Sequence, residues 1–386
     1  MKKLIQVIAA VCAFFMPSEL NAQKESSVYA DYLKGNSETA IDYMMSKLKN
    51  YRIIAIGEDH WIADHTPFLC EVLKESAKRK ETRPDVVALE FGSELDQSTA
   101  DRVALSSTFM PDSVIKILQH APDMLGNPYK EYFDVFKCIW EINRNLADNE
   151  KIMIRLLDPA GVQDSFNRTS LQRGRDRDMT MYEKVKWDFV RGKKIVFYAG
   201  QAHTQRQIRG YKPRGATNYY NYPSAGFLLK SVYPNDVCTV ELWSPLNMGM
   251  GYGKNPQTGN WTERCYGVFD KAFEMNGNRP CGFDIAESPW GEITMAEYFC
   301  PPGKEDLYAS NPADADPYTK DILLSRLIDG IVFIKPSKDF TGGHLIDIYT
   351  SDFVEVCRKR LDKESMTAEE LLKTVKEWHP QMVMPK

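Results

Sequence analysis

Five short stretches place a carboxylate or a histidine against an apolar run. They are Gly57-Glu58-Asp59-His60-Trp61-Ile62-Ala63-Asp64-His65, Leu89-Glu90-Phe91-Gly92, Leu157-Asp158-Pro159, Gly200-Gln201-Ala202-His203 and Glu241-Leu242-Trp243-Ser244. A His or Glu with a tuned pKa can take a proton from water, which is the first need of hydrolysis. The same residue types can hold a divalent metal, and mixed His and carboxylate donors suit zinc or manganese. A bound metal lowers the pKa of its water. Glu58, His60, Glu90 and His203 are the candidates for either chemistry. Without a metal, His60 would be the base, oriented by Glu58 or Glu90, with His203 facing the developing oxyanion. The sequence leaves both routes open. Asp59, His65, Asp158 and Arg206 form a second rank. A lone carboxylate at a strand end usually bonds nearby backbone, and Asp158 before Pro159 fits that description. Arg206 and Arg209 follow His203 and could meet an anionic substrate group, although solvated charge is the commoner role for such arginines. The chain has only six histidines. His120, His344 and His379 show no comparable placement and read as surface or loop residues.

Such groups meet only if the chain brings them to one edge. Strands are expected at 52–56, 86–90, 152–157, 194–199, 237–242 and 330–334, all short, apolar and rich in β-branched residues. Near-continuous apolar character marks strands covered on both faces of a parallel sheet. Amphipathic helices fall between them. One starts near Thr66-Pro67, one near Asn127-Pro128, one runs to about Arg191 before Gly192, one spans about 318–329, and one follows Thr367 with Leu371, Val375 and Trp378 on its apolar side. The order implies an α/β fold: a mainly parallel central sheet flanked by helices, with loop-rich insertions at about 206–226 and 243–316. In such sheets ligands bind beyond the carboxyl ends of the strands. The five motifs fall at those ends.

The chain has 386 residues, 49 Lys+Arg against 53 Asp+Glu, and a formal charge of −4. That balance argues against nucleic acid and against a polybasic membrane surface. Lys2-Lys3, an apolar run to Met16 and Leu20-Asn21-Ala22 read as a signal peptide over 1–22, followed by one domain over 23–386. The mature chain is then expected to be exported, periplasmic or secreted, without a membrane span. Cys12 lacks the surroundings of a lipidation site. Cys70 and Cys138 sit in helical patterns and read as buried thiols. One disulfide is expected among Cys265, Cys281 and Cys300. There is no CxxC, HExxH or GxSxG motif. The glycine run ending at Lys254 lacks the Ser or Thr of a phosphate-binding loop.

Gly57-Glu58-x-His60, the strand ending at Glu90, Gly200-x-x-His203 and Leu327-Ile328-Asp329-Gly330-Ile331-Val332-Phe333-Ile334 together resemble a known superfamily. It joins erythromycin esterases, ChaN-type haem-binding lipoproteins and TraB/Tiki metalloprotease-like proteins. The resemblance covers about residues 53–336. It implies an exported hydrolase acting on an ester or amide, with a small-molecule or peptide substrate. The esterase branch usually has two residues between its Glu and His. Here only Asp59 intervenes, as in the haem-binding branch. The alternative is therefore an exported protein binding haem or another iron-containing ligand, with Tyr219, Tyr220 and Tyr222 lining its pocket.

Overall fold

The computed structural model describes residues 26–60, 62–121, 125–159, 170–211, 220–245, 263–299, 322–379 and 382–384. The expected leader over 1–22, Tyr219, Cys300 and the 249–254 glycine run lie outside the described residues.

The strands are β1 Glu38–Thr39, β2 Ile53–Glu58, β3 Val86–Ser93, β4 Met153–Asp158, β5 Ile195–Gly200, β6 Ile208–Tyr211, β7 Tyr220–Pro223, β8 Val237–Leu242, β9 Cys281–Asp284 and β10 Gly330–Phe333. The main sheet has eight strands in the order β1-β9-β10-β8-β2-β5-β3-β4. From β10 to β4 every neighbouring pair is parallel. All six expected strands form, and the α/β architecture is the expected one. β5 inserts between β2 and β3. That crossover puts the carboxyl ends of β8, β2, β5, β3 and β4 side by side.

Side-chain alternation divides the sheet between two cores. Ile54 and Ile56 of β2 join Val87, Leu89 and Phe91 of β3 and Val196 and Tyr198 of β5 on one face. Helices His65–Ser76 and Lys130–Asn143 cover that face with Leu69, Val72, Tyr132, Phe136 and Ile139. Ile53, Ala55, Val86, Ala88, Ile195 and Phe197 point the other way. Helices Ser170–Val190 and Ala225–Val232 meet them with Met181, Val185, Phe189 and Leu229. Each large apolar side chain buried this way contributes roughly 1.5–3 kcal/mol.

Four sequence expectations change. The 243–316 stretch is more than an insertion: its β9 joins the main sheet, antiparallel to β10 and β1. β9 is only four residues long and contains a glycine, so no period announced it. The stretch also carries helix Val268–Met275, whose Phe269 and Phe273 build a third core with Trp243 and Trp290. The 206–226 stretch forms the β6–β7 hairpin. Cys281 is a buried free thiol, so the expected disulfide does not use it. In the C-terminal helix, Thr367 and Glu370 form the expected capping box and Leu371 and Val375 are buried. Trp378 instead faces solvent. Among the described residues no helix is long and apolar enough to cross a membrane.

The β9–β10 edge depends on a close approach. A Cβ on Gly330 would lie 1.7 Å from the Tyr43 hydroxyl. That hydroxyl donates to Asp284 at 2.7 Å, and Tyr43 is buried. Gly330→Ala must displace a locked ring, and is expected to cost about 1–3 kcal/mol. Urea denaturation measures this; unchanged stability would show that Tyr43 is not locked there.

Candidate functional site

The alternation that builds the two cores also aims the strand-end carboxylates. Glu58 continues the face of Ile54 and Ile56, so it points toward the 130–143 helix. Its carboxylate accepts hydrogen bonds from the Tyr132 and Tyr198 hydroxyls. Glu90 continues the opposite face, toward the 170–190 helix. Arg177 of that helix donates to Glu90 Oε1 at 2.7 Å and to Asp158 Oδ1 at 2.6 Å. The backbone N–H of Gly200 donates to Glu90 Oε2 at 2.6 Å.

His60 bridges these two layers. Its Nδ1 lies 2.9 Å from Glu58 Oε1, and its Nε2 lies 3.6 Å from Glu90 Oε1. The Tyr132 hydroxyl is also 2.9 Å from Nδ1. The ring passes over the end of β5. A Cβ on Gly200 would sit 2.7 Å from His60 Nε2, so only glycine leaves room for it there. The carboxylates are almost fully buried, whereas the His60 side chain is 36% exposed. Burial works to lower the His60 pKa, but Glu90 and Glu58 outweigh it and hold the imidazole well above its ordinary value.

His203 stands behind Glu90. Its Nδ1 lies 2.8 Å from Asp178 Oδ1 and its Nε2 3.3 Å from Glu90 Oε1. Burial again works downward, and Asp178 and Glu90 raise the pKa above the ordinary value. Asp178 Oδ1 also accepts the backbone N–H of Ala225 at 2.9 Å. Burial pushes the Glu90 pKa up, yet His203, His60 and Arg177 hold it well below the usual carboxylate range. Three cations thus face Glu58, Glu90, Asp158 and Asp178. That near balance offsets the desolvation cost of burying so many charges.

The structure brings Glu58, His60, Glu90, His203 and Asp158 together. The second-rank residues have other partners. Asp59 turns away from the His60 ring and binds Arg264 Nη2 at 2.8 Å, the Ser244 hydroxyl and the Gln201 amide. His65 accepts the Asp59 N–H at Nδ1, 3.2 Å away, so its Nε2–H donates to the Trp243 carbonyl at 3.3 Å. Burial lowers its pKa, and the neutral ring braces the backbone between Glu58 and His60. Arg206 bonds Asp329 and the carbonyls of Ser325 and Ile328. It is neither a solvated charge nor part of the His60 cluster; it ties down the approach to β10.

Sequence reasoning missed Tyr132, Tyr198, Arg177, Asp178 and Arg264 as site partners. The two tyrosines were hidden in apolar patterns. Arg177 and Asp178 sit in Arg-Gly-Arg-Asp-Arg-Asp, which reads as solvated charge. Arg264 lies in the Gly- and Pro-rich stretch and is fully buried against Asp59. His379 is the half-buried loop residue that follows the C-terminal helix, as expected. Burial lowers its pKa to about 4, and the charge of His60 adds to that.

Both oxygens of Glu58 and of Glu90 are engaged by hydroxyls, a guanidinium, a backbone N–H or histidine. Among the described residues no group of three or more His, Cys, Asp or Glu is arranged to hold an ion.

No family model and no curated protein matches the chain. Solved structures do. A Bacillus cereus protein overlaps with a TM-score of 0.53 at 11% identity, over 84% of this chain and 99% of its own. A succinoglycan biosynthesis protein overlaps with a TM-score of 0.54 at 9% identity, over 83% of this chain and 97% of its own. A mutant of the erythromycin esterase EreC, in its open conformation, covers 77% of this chain and 96% of its own at 12% identity, with a TM-score of 0.47. At these identities the likeness is one of fold.

The electrostatics of the cluster can be read directly. By NMR, the His60 ring is expected to titrate well above pH 6.5, and Glu90→Gln to move that titration to lower pH. The stability signs follow by linkage. The raised His60 and His203 contribute stability that is full below about pH 6.5 and is lost as pH rises through their folded values. The depressed Glu90 contributes stability present above about pH 4.5 and lost as pH falls through its folded value. An unshifted His60 titration in Glu90→Gln would remove Glu90 as its partner.

Proposed function

We propose that this chain hydrolyses an ester or amide with His60 as the base. The observation that carries the reading is the placement of His60. It is the most exposed member of a buried charge cluster, and a carboxylate held by two tyrosines fixes its Nδ1. Glu58 accepts the Nδ1–H and sets the tautomer, which leaves Nε2 to take a proton from water. The imidazolium that forms is flanked by Glu58 and Glu90, so charge develops where two anions already stand. Arg177 and His203 act on Glu90 and keep it ionised and in place. The reading rests on side-chain hydrogen bonds and uses no metal. We also read residues 1–22 as an export signal, which the mature N-terminus, determined by mass spectrometry, would test.

A panel of aryl esters and anilides, assayed with the purified protein, tests the reading. His60→Asn is expected to lower turnover by about 10²–10⁴-fold, the usual contribution of a positioned base. Gly200→Ala is expected to lower it as well, because the new Cβ occupies the place of the ring. His60 must be neutral to accept a proton, so kcat/KM should rise with pH up to its raised pKa. In Glu90→Gln that limb should move to lower pH. Wild-type turnover no faster than that of His60→Asn on every substrate would sink the proposal.

A further inference from the structure

Away from the charged edge, helices His65–Ser76 and Lys130–Asn143 pack side by side and enclose a groove of about 670 Å³. Cys70 of the first helix and Cys138 of the second both line it, with Lys74 and Lys137 beside them. The sequence suggested two separate buried thiols, but the fold makes them neighbours. Cys138 Sγ lies 3.8 Å from the Cys70 carbonyl oxygen, and both cysteines line the same groove. Cys138 is buried, whereas Cys70 is partly open to the groove. The neighbouring Cys70 lowers the Cys138 pKa, against burial, and Lys74 lowers it further against Glu141, while the same contact and burial push the Cys70 thiol up. Two cysteines side by side, one of them open to solvent, form the arrangement that thiol–disulfide exchange requires.

We propose that Cys70 and Cys138 are a redox-active pair, which a disulfide-bearing oxidant converts to a disulfide between the two helices. One protein thiolate attacks a sulfur of the oxidant's disulfide. That bond breaks, one oxidant thiolate leaves, and a mixed disulfide forms. The second protein sulfur then attacks the mixed disulfide, makes the Cys70–Cys138 bond and expels the second oxidant thiolate. Two electrons pass to the oxidant, and its two sulfurs carry away the two protons. Closing the bond brings the two sulfurs to about 2.05 Å. Both stapled helices also hold the charged edge. One begins at His65, which braces Asp59, and the other carries Tyr132, which bonds Glu58. The disulfide would therefore tie together the two supports of the Glu58–His60 segment.

Oxidised glutathione is the probe, applied to the full chain and followed by intact mass and peptide mapping under non-reducing conditions. The expected result is a loss of two hydrogens, a peptide pair linked through Cys70 and Cys138, and loss of Cys70 alkylation that a reductant restores. Thermal unfolding of the oxidised protein should move to higher temperature. Cys70→Ser and Cys138→Ser should each abolish the linked pair, and Cys281→Ser should keep it. Persistent free thiols in the oxidised wild type, or a stable glutathione adduct on Cys70 without the internal bond, would overturn the proposal.

Discussion

The contact on which the site depends is the bridging of Glu58 and Glu90 by one imidazole. The two carboxylates lie on opposite sides of the sheet and are held by different helices. His60 is the group that touches both. A ring in that position is charged by its neighbours, so it compensates the buried anions while presenting an edge to solvent. Removing it would leave two carboxylates with less counter-charge in a site where water cannot fully replace it. Structural and chemical demands therefore fall on the same side chain.

The architecture follows from meeting that constraint. Glu58 stays where it is because Tyr132 and Tyr198 offer their hydroxyls from within an apolar face, and Phe91 stacks on Tyr132 at 3.9 Å between centroids. Glu90 stays because Arg177 ties it to Asp158. Gly57 and Gly200 are two places where a side chain would prevent closure. A Cβ on Gly57 would meet the Thr204 hydroxyl at 2.6 Å, so the His203 turn could not settle against β2. The backbone between Glu58 and His60 is braced separately by His65 and by the buried Asp59–Arg264 pair. Such pairs are poor sources of net stability, but losing one partner is costly. Their effect here is to leave the Glu58–His60 segment one conformation.

Much of this was legible because it is periodic or terminal. Six strands announced themselves as β-branched apolar runs, and a parallel sheet puts functional side chains at its carboxyl ends. Glu58, His60, Glu90 and His203 could therefore be grouped before any coordinates. β9 could not, because a short strand with a glycine carries no period and gains its pairing from β10. The partners of Arg206 and His65 were hidden for a related reason. Their positions along the chain were right for a site, but their partners, the carbonyls before β10 and the Trp243 carbonyl, are remote in sequence.

What the sequence by itself determined is the fold class and the edge where the candidate residues gather, because alternation and strand-end placement are local properties. It also offered Glu58 and Glu90 as alternative partners of His60, and the fold supplies both. Only the tertiary structure decided who neutralises whom. Arg177 and Asp178 come from the 170–190 helix, Tyr132 from the 130–143 helix and Arg264 from a stretch without regular pattern. Cys70 and Cys138 became a pair only when two helices packed. Ion pairing and thiol contact depend on distances of a few ångströms between segments far apart in the chain, and no local pattern of residues encodes them.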